Sequence, residues 1–382
     1  MLSKVGHLLK NSRSKQFALS RLSSTHLNIP DTAPARSRDF RLLSGAPGGD
    51  SEADVGAFYE ITDTEFEQYF PCGIYDKDIN NLHTLLEKRC LMIRPPALQI
   101  IDAMRATDSN DGAGETLPFF LTSRGERGTG KTATLLHTVH WARREGWITL
   151  HIPSGRELVY GGLWVNPSSE KDGSFDQPQV AHQILKDFGA AHSHDLTALN
   201  LQHAASKNRY GSTLADVLQI GIADEDEATA ALVVLKGELV AQTERPVLIA
   251  IDEYNALFEA TPYSFAQKQL ESEQLVLVKA FKDLHSPSNH PARGAVVLAD
   301  SNRFPAVVGH FKRNLSKDID ELYEDYKAVE VPPFSSEQYV KCVELFDSLE
   351  LFEGTIDGND VGLVKLRTQL NPRLVVEQLM LM

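Results

Sequence analysis

From about residue 117 onward, short apolar runs alternate with stretches in which apolar side chains recur every three or four positions. Runs of four to six apolar residues bounded by turn formers predict buried strands, and the three-to-four spacing predicts helices with one covered face. The pattern predicts strands over 117–122, 147–152, 246–251 and 294–299, and a fifth over 328–331 that stops at Pro332-Pro333. A helix over 132–144 carries Leu135, Leu136, Val139 and Ala142 on one face. Strands alternating with helices imply a mostly parallel, five-stranded sheet covered on both sides, an α/β fold. Between the second and third strands lies a long helix-rich insertion, 154–245. Loop insertions of that length commonly carry partner contacts.

Ahead of this region, 46–110 reads as a helical lead-in. Leu82, Leu85 and Leu86, then Ile100, Ile101 and Met104, sit at helical spacing on either side of Pro95-Pro96. The core domain is predicted over 111–334. Beyond it, 335–382 forms a small helical lid, with Ser335 as the cap of its first helix.

The chemistry sits at the ends of these strands. The first strand runs into Gly125-Glu126-Arg127-Gly128-Thr129-Gly130-Lys131-Thr132-Ala133, a glycine-rich phosphate loop that opens a helix. Glycines let several backbone N–H groups converge on phosphate oxygens, and the helix adds its positive end. Lys131 is expected on the outer phosphates and Thr132 on Mg²⁺. Preceding strand and following helix are the context such a loop needs, and they define a P-loop NTPase core. The strand 247–251 ends in Asp252-Glu253. Asp252 is the expected second Mg²⁺ contact, and Glu253 the candidate general base for an attacking water. The strand 294–299 ends in Asp300-Ser301-Asn302, and Asn302 is the candidate for the polar contact to the outermost phosphate made in AAA-like ATPases. The guanine-reading Asn-Lys-x-Asp motif does not occur, so these motifs leave GTP and ATP both open.

Composition sharpens this picture at one end only. Through residue 41 the chain has eight basic and two acidic residues; the remainder has thirty basic and fifty acidic, a net charge of −20. A basic, serine-rich, acid-poor start is the composition of a mitochondrial transit peptide, assigned to 1–45, with a disordered basic arm that touches nucleic acid as the alternative. The acidic body disfavours wrapping nucleic acid, DNA included. No apolar run is long enough for a membrane span. Cys72, Cys90 and Cys342 lack the spacing of a zinc site or disulfide framework. His192 and His194 are expected in a solvated loop.

With these residues in hand, the chain resembles the death-associated protein 3 family, P-loop proteins of the small subunit of the mitochondrial ribosome. The resemblance spans roughly 70–382. It rests on Cys90 to Leu98 before the phosphate loop, the loop itself, Trp147 to Pro153, Phe175-Asp176-Gln177-Pro178, Asp252 to Leu257 and Leu370-Asn371-Pro372, in that order. It implies a structural subunit among other small-subunit proteins of the mitochondrial matrix, with limited rRNA contact and a bound guanine nucleotide. Two other classes use the same loop. A cycling AAA-like ATPase would use Glu253 and a partner's arginine, and a nucleotide kinase would need an acceptor pocket that no motif here marks.

Overall fold

The computed structural model describes residues 42–45, 48, 54–108, 117–123, 126–301, 326–352 and 357–382. The basic arm through residue 41, Gly125 and Asn302 lie outside them. Five strands form the central sheet: β1 (Leu117–Thr122), β2 (Ile148–Ile152), β3 (Val247–Ile251), β4 (Gly294–Ala299) and β5 (Lys327–Glu330). Their order is β5-β1-β4-β3-β2, and every pairing is parallel. The register aligns Val329 with Leu121, Phe119 with Val297, Val297 with Ala250, and Ala250 with His151.

Because both faces are covered, the strands read as continuous apolar runs, and alternate residues serve two different cores. Val247, Ile249 and Ile251 of β3 face one core with Ile148, Leu150, Ile152, Val296 and Leu298. Leu248 and Ala250 face the other with Phe119, Leu121, Val297 and Val329. The second core is closed by the helix Lys131–Arg144 and by the lead-in helix Pro95–Asp108, through Leu135, Val139, Ile101 and Met104.

The first core is closed by the 154–245 stretch itself. Leu185 and Phe188 of the helix Pro178–Ala191, Leu214 and Leu218 of Leu214–Ala223, and Leu232, Leu235 and Leu239 of Ala228–Ala241 are all buried there. These helices are one layer of the sandwich. The histidine reading is corrected here: Ser193 and His194 are exposed, but His192 is buried. Its Nε2 accepts the Thr149 N–H of edge strand β2 at 3.0 Å. A side-chain acceptor on an edge strand occupies a donor that would otherwise remain unpaired.

The C-terminal segment folds as the helices Ser336–Ser348, Gly358–Thr368 and Pro372–Leu379. Ser335 caps the first: its Oγ accepts from Gln338 N at 3.1 Å, while Gln338 Oε1 accepts from Ser335 N at 3.0 Å. The lead-in is not helical throughout, since it also forms the paired strands Phe58–Glu60 and Cys90–Met92. Tyr339, Cys342, Val343 and Phe346 bury against Phe58 and Cys90 of these. The C-terminal helices therefore share a third core with the lead-in, across the mouth of the phosphate loop. Among the described residues, no helix is long and apolar enough to cross a membrane.

Candidate nucleotide-binding site

In a parallel sheet all strands finish at one edge, and groups following them converge there. Here that edge collects the phosphate loop after β1, Ser154 shortly after β2, Asp252-Glu253 after β3 and Asp300-Ser301 after β4.

The loop turns on two glycines in left-handed backbone, Gly128 at φ +82° and Gly130 at φ +100°, a conformation costly for residues with a Cβ. Gly130 is the N-cap of the helix that begins at Lys131. Lys131 is 8% exposed; its Nζ donates to Ser123 Oγ at 2.7 Å and lies 3.3 Å from Asp300 Oδ1. Thr129 Oγ1 is buried without a hydrogen-bond partner, although buried hydroxyls ordinarily find one. An orphaned hydroxyl inside a cradle of backbone N–H groups suits an anionic oxygen acceptor.

Thr132 Oγ1 donates to Asp252 Oδ2 at 2.6 Å, and Asp252 Oδ1 accepts Glu253 N at 2.8 Å. Burial pushes the Asp252 carboxyl up to about 7, against the Thr132 bond, and the nearby Glu253 charge adds to the rise. A hydroxyl and a buried carboxylate in contact are hard oxygen donors, the type a divalent cation takes alongside phosphate oxygens and water. Among the described residues there is no group of three or more His, Cys, Asp or Glu able to hold a metal without such help.

Glu253 itself has left-handed backbone, φ +54°. Its carboxylate accepts the Ser154 hydroxyl. Asn255 fastens this segment to the end of β4, donating through Nδ2 to Ser301 O at 2.9 Å and accepting Ser301 N at 2.8 Å. Asp300, two residues before the sequence candidate Asn302, engages Lys131. Asn302 falls outside the described residues.

Two further groups hold the loop, and neither is expected from the sequence to do so; Arg373 reads there only as a charge stabiliser or a surface salt bridge. Arg94, 4% exposed, donates to the carbonyls of Thr129 and Pro332, and its guanidinium lies 5.2 Å from the Phe334 ring centre. Burial lowers its pKa to about 10. It is the only charged residue between Arg89 and Asp102, a signal that was available in the sequence. From the other side, Asn371 Nδ2 donates to Arg127 O at 2.8 Å and the Arg373 N–H to Gly128 O at 3.1 Å. A Cβ on Gly128 would stand 2.7 Å from Arg373 Cβ and 2.9 Å from Asn371 Oδ1. The Arg373 side chain pairs with Asp78 at 3.0 Å and Glu377 at 2.8 Å.

Together these segments enclose a cavity of ≈ 630 Å³. Its floor runs from Arg127 to Ala133, its polar wall includes Asp252, Glu253 and Asp300, and its apolar wall includes Leu82, Met92, Phe334, Phe346 and Val376. A polar, loop-lined end and an apolar end at this volume suit a phosphorylated ligand with a planar base.

Residues 91–364 match the family described as mitochondrial ribosomal death-associated protein 3. The chain is 31% identical to the small ribosomal subunit protein mS29 of Bos taurus over 80% of its own length and 78% of the relative's. It is 30% identical to the protein of the same name from Mus musculus, over 80% of each chain. The Neurospora crassa protein of that name is 26% identical over 60% of this chain and 48% of its own. A solved structure of the Aeropyrum pernix ORC2 protein in ADPNP and ADP complexes aligns over 75% of this chain and 67% of its own, at 13% identity and a TM-score of 0.33. A family match over most of the chain, joined to two animal relatives aligned over four-fifths of it, places this protein in the mitochondrial ribosomal death-associated protein 3 family.

Proposed function

We propose that this chain is a protein of the small subunit of the mitochondrial ribosome, in the mitochondrial matrix, and that it holds a purine nucleotide with Mg²⁺ as a structural ligand. Family membership supports the first half. The second is carried by one arrangement: the phosphate loop is gripped by the lead-in through Arg94 and by the C-terminal segment through Asn371 and Arg373. A nucleotide seated on that loop touches all three parts of the chain and favours the arrangement in which they meet. A ligand that binds only the folded state stabilises it by about 2.7 kcal/mol at a hundredfold excess over Kd.

In this reading the N–H groups of the loop and Lys131 bind phosphate, with Lys131 exchanging Ser123 and Asp300 for phosphate oxygens. Thr132 and Asp252 hold Mg²⁺, whose charge offsets both the phosphates and the buried Asp252 carboxylate. The apolar wall takes the base. Guanine is expected from the family resemblance, with adenine the alternative. The partners are chiefly other small-subunit proteins, because a net charge of −20 outside the basic arm repels an RNA backbone except at local contacts.

Glu253 favours a second reading, a working AAA-like ATPase of the matrix. Gradient sedimentation of a mitochondrial lysate at moderate and then high salt separates the two. A structural subunit travels with the small ribosomal subunit and stays there in high salt. A free chain or a separate oligomer would overturn the ribosomal assignment and favour the ATPase.

A further inference from the structure

We infer that the surface formed by Leu163, Trp164 and Phe265 is the docking site of a basic protein segment with apolar anchors; the inference rests on the reading above of a chain set among other small-subunit proteins. Contiguous exposed apolar side chains mark interaction surfaces. Leu163 is 83% exposed, Trp164 47% and Phe265 49%. Two stretches distant in sequence bring them to one surface. Tyr263 donates its hydroxyl to the Gly161 and Gly162 carbonyls, and Leu163 N donates to Gln179 Oε1 at 2.7 Å. Phe265, two residues on from Tyr263, packs on Phe175 with ring centres 5.1 Å apart.

Short paired ribbons build this surface. Asn166–Pro167 pairs antiparallel with Phe175–Asp176, and Ser264–Phe265 with Lys268–Gln269. The second ribbon turns through Ala266 and Gln267 alone, both in left-handed backbone, at φ +49° and +66°. Such turns favour asparagine and glycine, because a Cβ is costly there. Burial does not offset that cost, since every residue from Ser264 to Gln269 is exposed. Costly backbone of this kind clusters at surfaces held for use. A tryptophan beside a second aromatic ring is also the composition of an interface anchor.

Charge selects the occupant. The stretches 155–176 and 259–273 hold seven acidic and three basic residues. Arg209 and Lys282 pair with two of the acids, Glu170 and Glu273. Glu157, Asp172, Asp176, Glu259 and Glu271 remain, against Arg156, Lys171 and Lys268. Lys279 and Asp283, which approach Lys171, cancel each other. The surface is therefore acidic, on a body whose net charge outside the basic arm is −20. It repels an RNA backbone, although aromatic rings stack bases, and a second copy of the chain would meet like charge. A protein segment with lysine or arginine around aliphatic or aromatic side chains matches both the apolar centre and the acidic rim.

The test places a photo-reactive side chain on the surface, Leu163→p-benzoylphenylalanine, in the full chain in mitochondria. Gradient fractions are irradiated, and the adduct is identified by mass spectrometry. The expected adduct joins this chain to a protein segment in which lysine and arginine outnumber aspartate and glutamate. Its yield should fall about tenfold with Trp164→Ala, as for loss of an interface anchor, and severalfold with Asp172→Lys and Glu271→Lys combined. Phe265→Ser carries the same expectation should a thermal melt show that Trp164→Ala does not fold. An adduct on rRNA, on a second copy or on a segment without excess positive charge overturns the docking surface. So does a yield that ignores these substitutions, or no adduct in small subunits that contain the chain; each leaves the ribosomal reading standing. A chain that sediments apart from the subunit yet gives the expected adduct overturns the ribosomal reading alone. One that sediments apart without it overturns both.

Discussion

Replacing Arg94 by alanine tests whether the phosphate loop and the C-terminal segment form one structural unit. The side chain is 4% exposed and joins the Thr129 carbonyl of the loop to the Pro332 carbonyl that leads into the lid. The buried Thr129 carbonyl left without a donor costs about 1–3 kcal/mol and the hydrogen bond to exposed Pro332 adds about 1 kcal/mol, so losing both costs about 2–4 kcal/mol. Part of this is recovered, because the variant no longer buries a guanidinium whose pKa burial depresses to about 10. The net expectation is about 2–3 kcal/mol, or a fall in Tm of about 2–4 °C for a chain of this size. Thermal melts with and without GTP and Mg²⁺ would measure it. Nucleotide affinity should fall in the same variant, because the Thr129 backbone loses the group that fixes it beneath the phosphates. Arg94→Lys keeps the charge but cannot fork to two carbonyls, and should lie between wild type and alanine. An Arg94→Ala chain melting within about 1 °C of wild type, with unchanged affinity, would refute the reasoning.

Lys131→Ala removes the cation that meets the phosphates, and the purified variant should carry no nucleotide; retained nucleotide measured by extraction would contradict the site. Gly128→Ala places a Cβ 2.7 Å from Arg373 Cβ in backbone at φ +82° and should loosen the C-terminal helices, seen as faster proteolysis beyond Pro333. Asp252 has a folded-state pKa of about 7 against an unfolded value near 3.8. The folded chain therefore binds the extra proton between those values, and this group lowers stability as pH rises from about 4 to 7. The effect is on the order of 4 kcal/mol. In Mg²⁺-free buffer, Asp252→Asn should gain on wild type across that window, and parallel stability curves would refute the assignment. His192 has the opposite sign. Burial, then the Arg143 charge, lower its pKa from 6.5 to about 3, so its contribution is intact above 6.5 and is lost as pH falls toward 3. His192→Gln keeps an acceptor for Thr149 N–H and should move the acid-unfolding midpoint to lower pH.

Much of this architecture was legible in the sequence, for physical reasons that differ by element. The runs at 117–122 and 294–299 match β1 and β4 residue for residue, because both are apolar but for Thr122 and lead into polar residues. The last strand lies one residue earlier than expected, Lys327–Glu330, with the exposed Lys327 and Glu330 included by backbone pairing to β1 and not by hydrophobicity. The phosphate loop and Asp252 were legible because their chemistry demands fixed residue types at fixed spacing. Arg94 was harder: a lone arginine before two prolines reveals its exclusion from water, but not which carbonyls it meets. Ser154 left no local trace, since its partner is 99 positions away. His192 was misread because a pair of histidines two apart resembles a polar loop, and only the position of β2 shows that one ring turns inward. The helices of 154–245 looked like an insertion because periodicity identifies a covered face without naming what covers it.

The central claim is that a nucleotide is part of the assembled protein, held between loop, lead-in and lid. Its most direct test is to isolate the small mitochondrial ribosomal subunit at high salt and to quantify the purine nucleotide extracted per copy of this chain. The account predicts a stoichiometric nucleotide in the subunit containing wild-type chain, and none where the chain carries Lys131→Ala. A small subunit that contains the wild-type chain but yields no nucleotide would contradict it.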